Sequence, residues 1–171
     1  MGGSLPFEWI EADGGRLAIM QHPPGGPELD RYLAALRALG VDVLVSMLAD
    51  EEAKWMGLGG EADSCARQGI EFLHFPIEDH RVPDSWDETS AFACRLKDRL
   101  RAGLGVVIHC YAGIGRSALM GIATLVGCGL GLEEAIDRVS SARGFEVPEP
   151  NQREWLARVV PSGTARAGAG R

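Results

Sequence analysis

The segment His109-Cys110-Tyr111-Ala112-Gly113-Ile114-Gly115-Arg116-Ser117 gathers groups that can hold an anion and attack it. Gly113 and Gly115 allow the backbone to curl so that successive N–H groups converge on one point. A helix beginning near Arg116 adds the partial positive charge of its N-terminus. The Arg116 guanidinium is a planar fork able to bind two phosphate oxygens at once. A helix N-terminus and a nearby arginine also favour thiolate over thiol, and the thiolate is the nucleophile. The expected arrangement is a cradle for a tetrahedral dianion, formed by Tyr111, Ala112, Gly113, Ile114, Gly115 and Arg116, with the Cys110 sulfur at its floor. No Gly-Lys-Ser/Thr follows the glycines, so the segment is unlike a nucleotide-binding loop.

Such a loop needs a strand to deliver the cysteine and a helix to receive the arginine. Val106–His109 is a short apolar run that fits the strand, and the apolar stretch Arg116–Gly127 fits the helix. Upstream, Pro6–Met20 reads as a strand pair turning at Asp13-Gly14-Gly15. Leu29, Tyr32, Leu33, Leu36 and Leu39 follow helical spacing up to Gly40, and Val41–Leu48 fits a strand buried on both faces. Short helices are expected at Ala49–Lys54 and Glu61–Gln68, a strand at Ile70–Phe75, and a helix from Ser85 to Ala102 with Ser85 as its N-cap. Downstream, Leu132, Ala135, Ile136 and Val139 mark one helix, and Asn151–Val160, with Asn151 as N-cap, the last. Strands alternating with helices predict an α/β fold, a single domain with a central, mostly parallel sheet flanked by helices. Ligands of such sheets bind beyond the carboxyl ends of the strands, where the cysteine loop begins. The domain is expected to occupy 1–160, with 161–171 as a disordered tail.

The composition narrows the function. The chain has 171 residues, enough for one domain, and its 46% hydrophobic and 24% charged content is ordinary for a globular protein. A net charge of −7 argues against a nucleic-acid partner. No apolar run reaches the length of about 18 residues that a membrane span needs. The first residues have neither the basic nor the apolar region of a signal peptide, and Pro6 breaks the myristoylation pattern. A cytoplasmic monomer needing no metal or cofactor is the expectation. Cys65, Cys94 and Cys128 have no C-x-x-C spacing and read as small core hydrophobes. Trp9, Trp55, Trp86 and Trp155 read as core or near-core residues, His22, His74 and His80 as surface or core histidines, and Glu51-Glu52 as a helix first turn.

His109-Cys110, five residues, then Arg116-Ser117 resembles the signature of cysteine-dependent protein-tyrosine phosphatases. The residues from Cys110 to Ser117 are closest to the compact dual-specificity branch, which includes cyclin-dependent-kinase-associated and Cdc14-like phosphatases. The resemblance runs from about Leu44 to Val159 and takes in Phe75-Pro76-Ile77-Glu78-Asp79. It implies a protein-tyrosine-phosphatase-like fold. Cys110 would attack phosphorus and form a phosphocysteine. Arg116 and the loop N–H groups would hold the phosphoryl oxygens. Ser117 would hydrogen-bond the sulfur and help it leave, and His109 would orient the loop, although a plain core histidine fits equally well. Two residues compete for general acid. Asp79 sits in a Pro-hydrophobic-x-Asp stretch at the interval before Cys110 at which compact members carry their acid. Val82-Pro83-Asp84 resembles the Trp-Pro-Asp loop of larger relatives. Gln152 resembles the glutamine that positions water in Cdc14-like relatives, or is a first-turn polar residue.

The implied activity is a phosphomonoesterase acting on phosphotyrosine, with phosphoserine and phosphothreonine, in a phosphoprotein or phosphopeptide. Three alternatives stay open. One is a phosphatase of a non-protein phosphate, such as a phosphoinositide or an RNA 5′ end. Lipid-phosphatase relatives carry lysines inside the loop, where this chain has Tyr111 and Ile114. Another is a phosphate-binding module with weak catalysis, although the cysteine, the arginine and an acid are all present. The last is a redox or arsenate-reducing enzyme, which needs a resolving cysteine that the sequence does not place near Cys110.

Overall fold

A computed structural model describes residues 5–163. The readings made on Met1–Ser4 and on positions 164–171 of the expected tail lie outside the described residues.

Five strands form one sheet in the order β1-β2-β5-β3-β4. They are β1 (Ile10–Ala12), β2 (Gly15–Met20), β3 (Val43–Ser46), β4 (Glu71–His74) and β5 (Gly105–His109). β1 is antiparallel to β2 across the Asp13-Gly14 turn, and the other pairings are parallel. The sheet is therefore mixed but mostly parallel, as the alternation of strands and helices predicts. The parallel pairs need long crossovers, which the helices supply. These are α1 (Leu29–Ala38), α2 (Asp50–Trp55), α3 (Glu61–Arg67), α4 (Trp86–Arg101), α5 (Arg116–Gly127), α6 (Leu132–Arg143) and α7 (Pro150–Val159).

Side chains alternate across a strand, so each central strand divides its residues between two cores. Leu17, Ile19, Val43, Val45, Val106, Ile108 and Cys110 join the core beneath α4 to α7. Ala18, Met20, Leu44 and Val107 join the opposite core with Leu29, Leu33 and Leu36 of α1 and Cys65 of α3. β5 lies at the centre of the sheet, paired with β2 through Met20↔His109 and with β3 through Ser46↔His109. Three parallel strands therefore end level with His109, and their following loops meet around Cys110.

Four local expectations are corrected. α7 is capped by Glu149 rather than Asn151. Pro150, whose fixed φ suits the first helical position, starts the helix earlier, and the Asn151 amide instead donates to the His80 carbonyl at 2.8 Å. Trp55 is 82% exposed, because it ends a six-residue helix that buries none of its residues. Cys94 is exposed, since Phe92, Ala93, Leu96 and Leu100 form the buried face of α4. The strand expected at Val41–Leu48 is confined to Val43–Ser46. Ser85 does cap α4, accepting from the Glu88 N–H at 3.2 Å.

Candidate active site

The loop after β5 carries Cys110 from the central strand to the N-terminus of α5. Gly113 has φ +71, and a Cβ there would stand 2.6 Å from the Met20 carbonyl carbon. Only glycine fits both that conformation and that approach to β2. Among the described residues, the N–H groups of Tyr111 to Gly115 donate to no protein acceptor, so five adjacent donors in one tight loop are free for an anion. The loop is anchored through its carbonyls. Tyr111 accepts from the His22 N–H at 3.1 Å, and Ala112 accepts from Arg143 Nη2 at 3.2 Å. The second nitrogen of that guanidinium reaches the Ile19 carbonyl at 3.4 Å, which ties the loop to β2. Burial pushes the Arg143 pKa down, and the nearby Cys110 opposes that shift.

Cys110 is 3% exposed, and its Sγ lies 3.1 Å from Ser117 Oγ. Arg116 is 1% exposed. Its Nη1 donates to Glu52 Oε2 at 2.7 Å and to the Ile77 carbonyl at 2.8 Å, and its Nη2 donates to Glu52 Oε1 at 2.9 Å. The bidentate pair holds the Glu52 carboxyl below the usual carboxylate range, against the opposing effect of burial. Glu52 does lie in the first turn of α2, as the sequence suggests, and it also fixes the arginine fork.

Asp79 Oδ1 stands 3.1 Å from Arg116 Nη2. Asp79 lines a cavity of about 260 Å³ with His80, Cys110, Tyr111, Ala112, Ile114, Gly115, Arg116, Glu149 and Gln152. Asp84 lines a different cavity, beside Glu78, Arg81 and Glu88. Glu78 is exposed and pairs with Arg81 at 3.0 Å.

The acid loop is strapped to the start of α7. His80 Nδ1 bonds Glu149 Oε1 at 2.9 Å, and its Nε2 is 3.5 Å from Asp79 Oδ2. The hydrogen bond to Glu149, together with the charges of Asp79 and Glu149, raises the His80 pKa above its ordinary value; Arg116 opposes the shift. Gln152 is fully buried. Its Oε1 accepts from the Glu149 N–H at 3.2 Å and its Nε2 donates to the Arg81 carbonyl at 3.1 Å. One amide hydrogen and one lone pair are left for a water. His109 is fully buried on the α3 side, with Nε2 2.7 Å from Glu61 Oε1.

The structure thus brings Cys110, Arg116, Asp79 and Gln152 to one cavity, with Ser117 buried behind the Cys110 sulfur. Sequence reasoning did not find Glu52, Glu61, His80, Arg143 or Glu149. Among the described residues, no group of three or more His, Cys, Asp or Glu is placed to hold a metal ion. No helix there is long and apolar enough to cross a membrane.

A buried thiol at the floor of a loop of free N–H donors, beside a fixed arginine, is the site of a cysteine-based phosphatase. Residues 20–130 match the family model described as "Polymorphic toxin system, DSP-PTPase phosphatase". The chain belongs to that family, and with it to the dual-specificity branch of the protein-tyrosine-phosphatase superfamily. It is 25% identical over 130 residues to the protein tyrosine phosphatase type IVA 2 of Mus musculus, covering 73% of this chain and 71% of that protein. The crystal structure of Tk-PTP in its active form matches with TM-score 0.70 and 32% identity, over 88% of this chain and 97% of its own. The kinase-associated phosphatase KAP matches in fold with TM-score 0.78 and 21% identity, over 90% and 94%.

Proposed function

We propose that the chain hydrolyses phosphotyrosine, together with phosphoserine and phosphothreonine, in proteins through a phosphocysteine intermediate. The observation that carries this reading is the cavity itself. It holds one sulfur, one locked guanidinium, five free N–H donors and one carboxyl group on a facing loop.

The chemistry follows from those positions. The Cys110 thiolate attacks phosphorus opposite the ester oxygen, forming the S–P bond as the P–O bond breaks. Asp79 passes its proton to the departing oxygen, so an alcohol or phenol leaves rather than an anion. The loop N–H groups and the Arg116 fork hold the three phosphoryl oxygens as charge spreads over them. Asp79, now a carboxylate, takes a proton from a water that attacks phosphorus and breaks the S–P bond. The spare amide hydrogen and lone pair of Gln152 can orient that water. Ser117 Oγ, 3.1 Å from the sulfur, donates to it as the thiolate is released.

Charge and shape support protein substrates. The rim carries exposed Tyr111 and Ile114 rather than cations. The cavity wall adds the carboxylates Asp79 and Glu149, with His80 as its one partly cationic group besides Arg116. Extra phosphates on an inositol ring would face those carboxylates unmatched. PTPMT1, solved in complex with PI(5)P, is 20% identical and shares the fold. The test compares kcat/KM on phosphotyrosine, phosphothreonine and phosphoserine peptides with that on phosphoinositides. Phosphotyrosine peptides are expected to be best, and Cys110→Ser is expected to be inert while still binding tungstate. Faster hydrolysis of phosphoinositides, or turnover by Cys110→Ser, would overturn the reading.

A further inference from the structure

Between the buried Ile77 and the half-buried Val82, residues Glu78 to Arg81 stand exposed. Core packing does not hold this acid turn, so its shape rests on hydrogen bonds. The Arg81 N–H donates to the Glu78 carbonyl at 3.0 Å and closes a four-residue turn with His80 in third place. His80 has φ 61, a left-handed conformation that such turns normally give to glycine or asparagine. A histidine stays there only where its surroundings offset the cost. The His80 N–H donates to Asp79 Oδ1 at 3.0 Å, so the twist at His80 decides where the Asp79 carboxyl points. Those surroundings are the start of α7. Asn151 Nδ2 donates to the His80 carbonyl at 2.8 Å, Glu149 meets the His80 ring, and Gln152 donates to the Arg81 carbonyl. We propose that Asn151 is a positioning residue for proton donation, holding the His80 peptide in its left-handed turn and so keeping Asp79 aimed at the phosphate site.

Three observations single out Asn151 within that helix start. Glu149 and Gln152 have work of their own, since each caps α7 for the other and the steps above give Gln152 the attacking water. Among the described residues, the Asn151 side chain makes one hydrogen bond, the one to His80. It is exposed, follows Pro150 and does not cap the helix, so α7 itself has no need of an asparagine there. The bond also acts at the point that matters. The His80 carbonyl and the Arg81 N–H belong to one peptide unit, so Asn151 and the Glu78 carbonyl grip its two ends. Released by Asn151, that unit can rotate toward the right-handed backbone that histidine prefers. The rotation would swing the His80 N–H, and with it the Asp79 carboxyl, away from Arg116, whose Nη2 is now 3.1 Å from Asp79 Oδ1. Only a donor can hold a carbonyl, and the amide NH2 of asparagine supplies one without adding charge beside Asp79 and Glu149.

This role rests on Asp79 being the general acid of the reaction proposed above. Simple aryl phosphates test it, so the choice between protein and lipid substrates does not enter, and kcat/KM reports the step that breaks the P–O bond. Asn151→Ala removes the donor and leaves a strong helix former. On phenyl phosphate, whose leaving phenol has a pKa of about 10, its kcat/KM should fall about tenfold, part of the roughly 10²–10⁴ that a general acid contributes. On dinitrophenyl phosphate, whose leaving group needs no proton, it should stay within about twofold of wild type. In an Asp79→Asn background, adding Asn151→Ala should change neither rate, because a residue that acts through Asp79 then has nothing to aim. No loss on phenyl phosphate, equal losses on the two esters, or a further tenfold loss in the Asp79→Asn background would each overturn the proposal. Equal losses for Asp79→Asn alone on the two esters would instead remove Asp79 as the acid, and the role of Asn151 with it. Should Asn151→Ala not fold, Asn151→Asp, which suits a helix N-terminus and also lacks the donor, is read in the same way.

Discussion

Glu52→Gln tests whether the arginine fork is held by charge and shape or merely neutralised. Arg116 makes contacts with Glu52 through both nitrogens, with the Ile77 carbonyl and with Asp79. Glutamine can accept through one oxygen only, and its NH2 would face a guanidinium N–H, donor against donor. Half of the fork's contacts become one bond and one repulsion, so the plane must turn. A displacement on the order of 1 Å in such a group costs about 10²-fold in rate, equivalent to about 2.7 kcal/mol of barrier. A second effect opposes it. Removing a carboxylate near a bound dianion strengthens binding, by roughly 2–3 kcal/mol per unit of phosphate charge about 6 Å away at an effective dielectric constant near 20. The two effects separate in steady-state kinetics, since misplacement lowers kcat and lost repulsion lowers KM.

The expected outcome is a kcat about 10²-fold lower with KM unchanged or smaller. A kcat within about threefold of wild type, or a raised KM at constant kcat, would refute the positioning argument. Stability gives an independent check. The pair is buried on the arginine side and loses about 1–3 kcal/mol when broken. The Glu52 carboxyl is held below its unfolded value, so this contribution is present above the ordinary carboxylate range and disappears as pH falls through the depressed value. The Tm gap between wild type and Glu52→Gln should be open at pH 7 and closed in strong acid.

Asp79→Asn should cut kcat on phosphotyrosine by roughly 10²–10⁴, and far less on an ester whose leaving group needs no proton, while Asp84→Asn should do little; rates of both variants on the two substrates decide this, and the reverse ranking would move the acid to Asp84. His80→Asn, chosen because asparagine tolerates the left-handed backbone at φ 61, should remove the tie between Nδ1 and Glu149. The His80 pKa is raised in the folded state by Glu149 and Asp79. Its stabilising contribution is therefore complete below the ordinary histidine value and fades as pH rises through the raised one. Tm measured against pH should show wild type above His80→Asn near pH 6 and the two converging by about pH 9.

The nucleophile loop was legible because its chemistry is contiguous. Cysteine, two glycines, arginine and serine fall within eight positions between an apolar strand and an apolar helix, and each flanking element announces itself by composition. The choice between Asp79 and Asp84 was not legible, since both follow the same strand and the decision depends on how the chain turns after Ile77. That turn puts Asp79 against Arg116 and sends Asp84 to another cavity.

The supporting carboxylates were hidden for a different reason. Glu52, Glu61 and Glu149 meet partners 64, 48 and 69 positions away, so no local spacing betrays them. Each also stands where a helix begins, and an acidic residue there already has a sufficient explanation in the helix dipole or the cap. Glu52 and Glu61 satisfy that local rule and answer a buried cation or imidazole as well, so the local rule masks the distant role. Strand parity offers a way past this. If Cys110 faces the α5 side, His109 must face the other core, and a histidine there needs a hydrogen-bond partner. The carboxylates beginning α2 and α3 are then the candidates for two buried groups, His109 and Arg116. Position relative to the strand ends separates them. α2 follows β3 directly over the carboxyl edge, level with the arginine, whereas α3 runs back under the sheet toward β4 and meets the histidine.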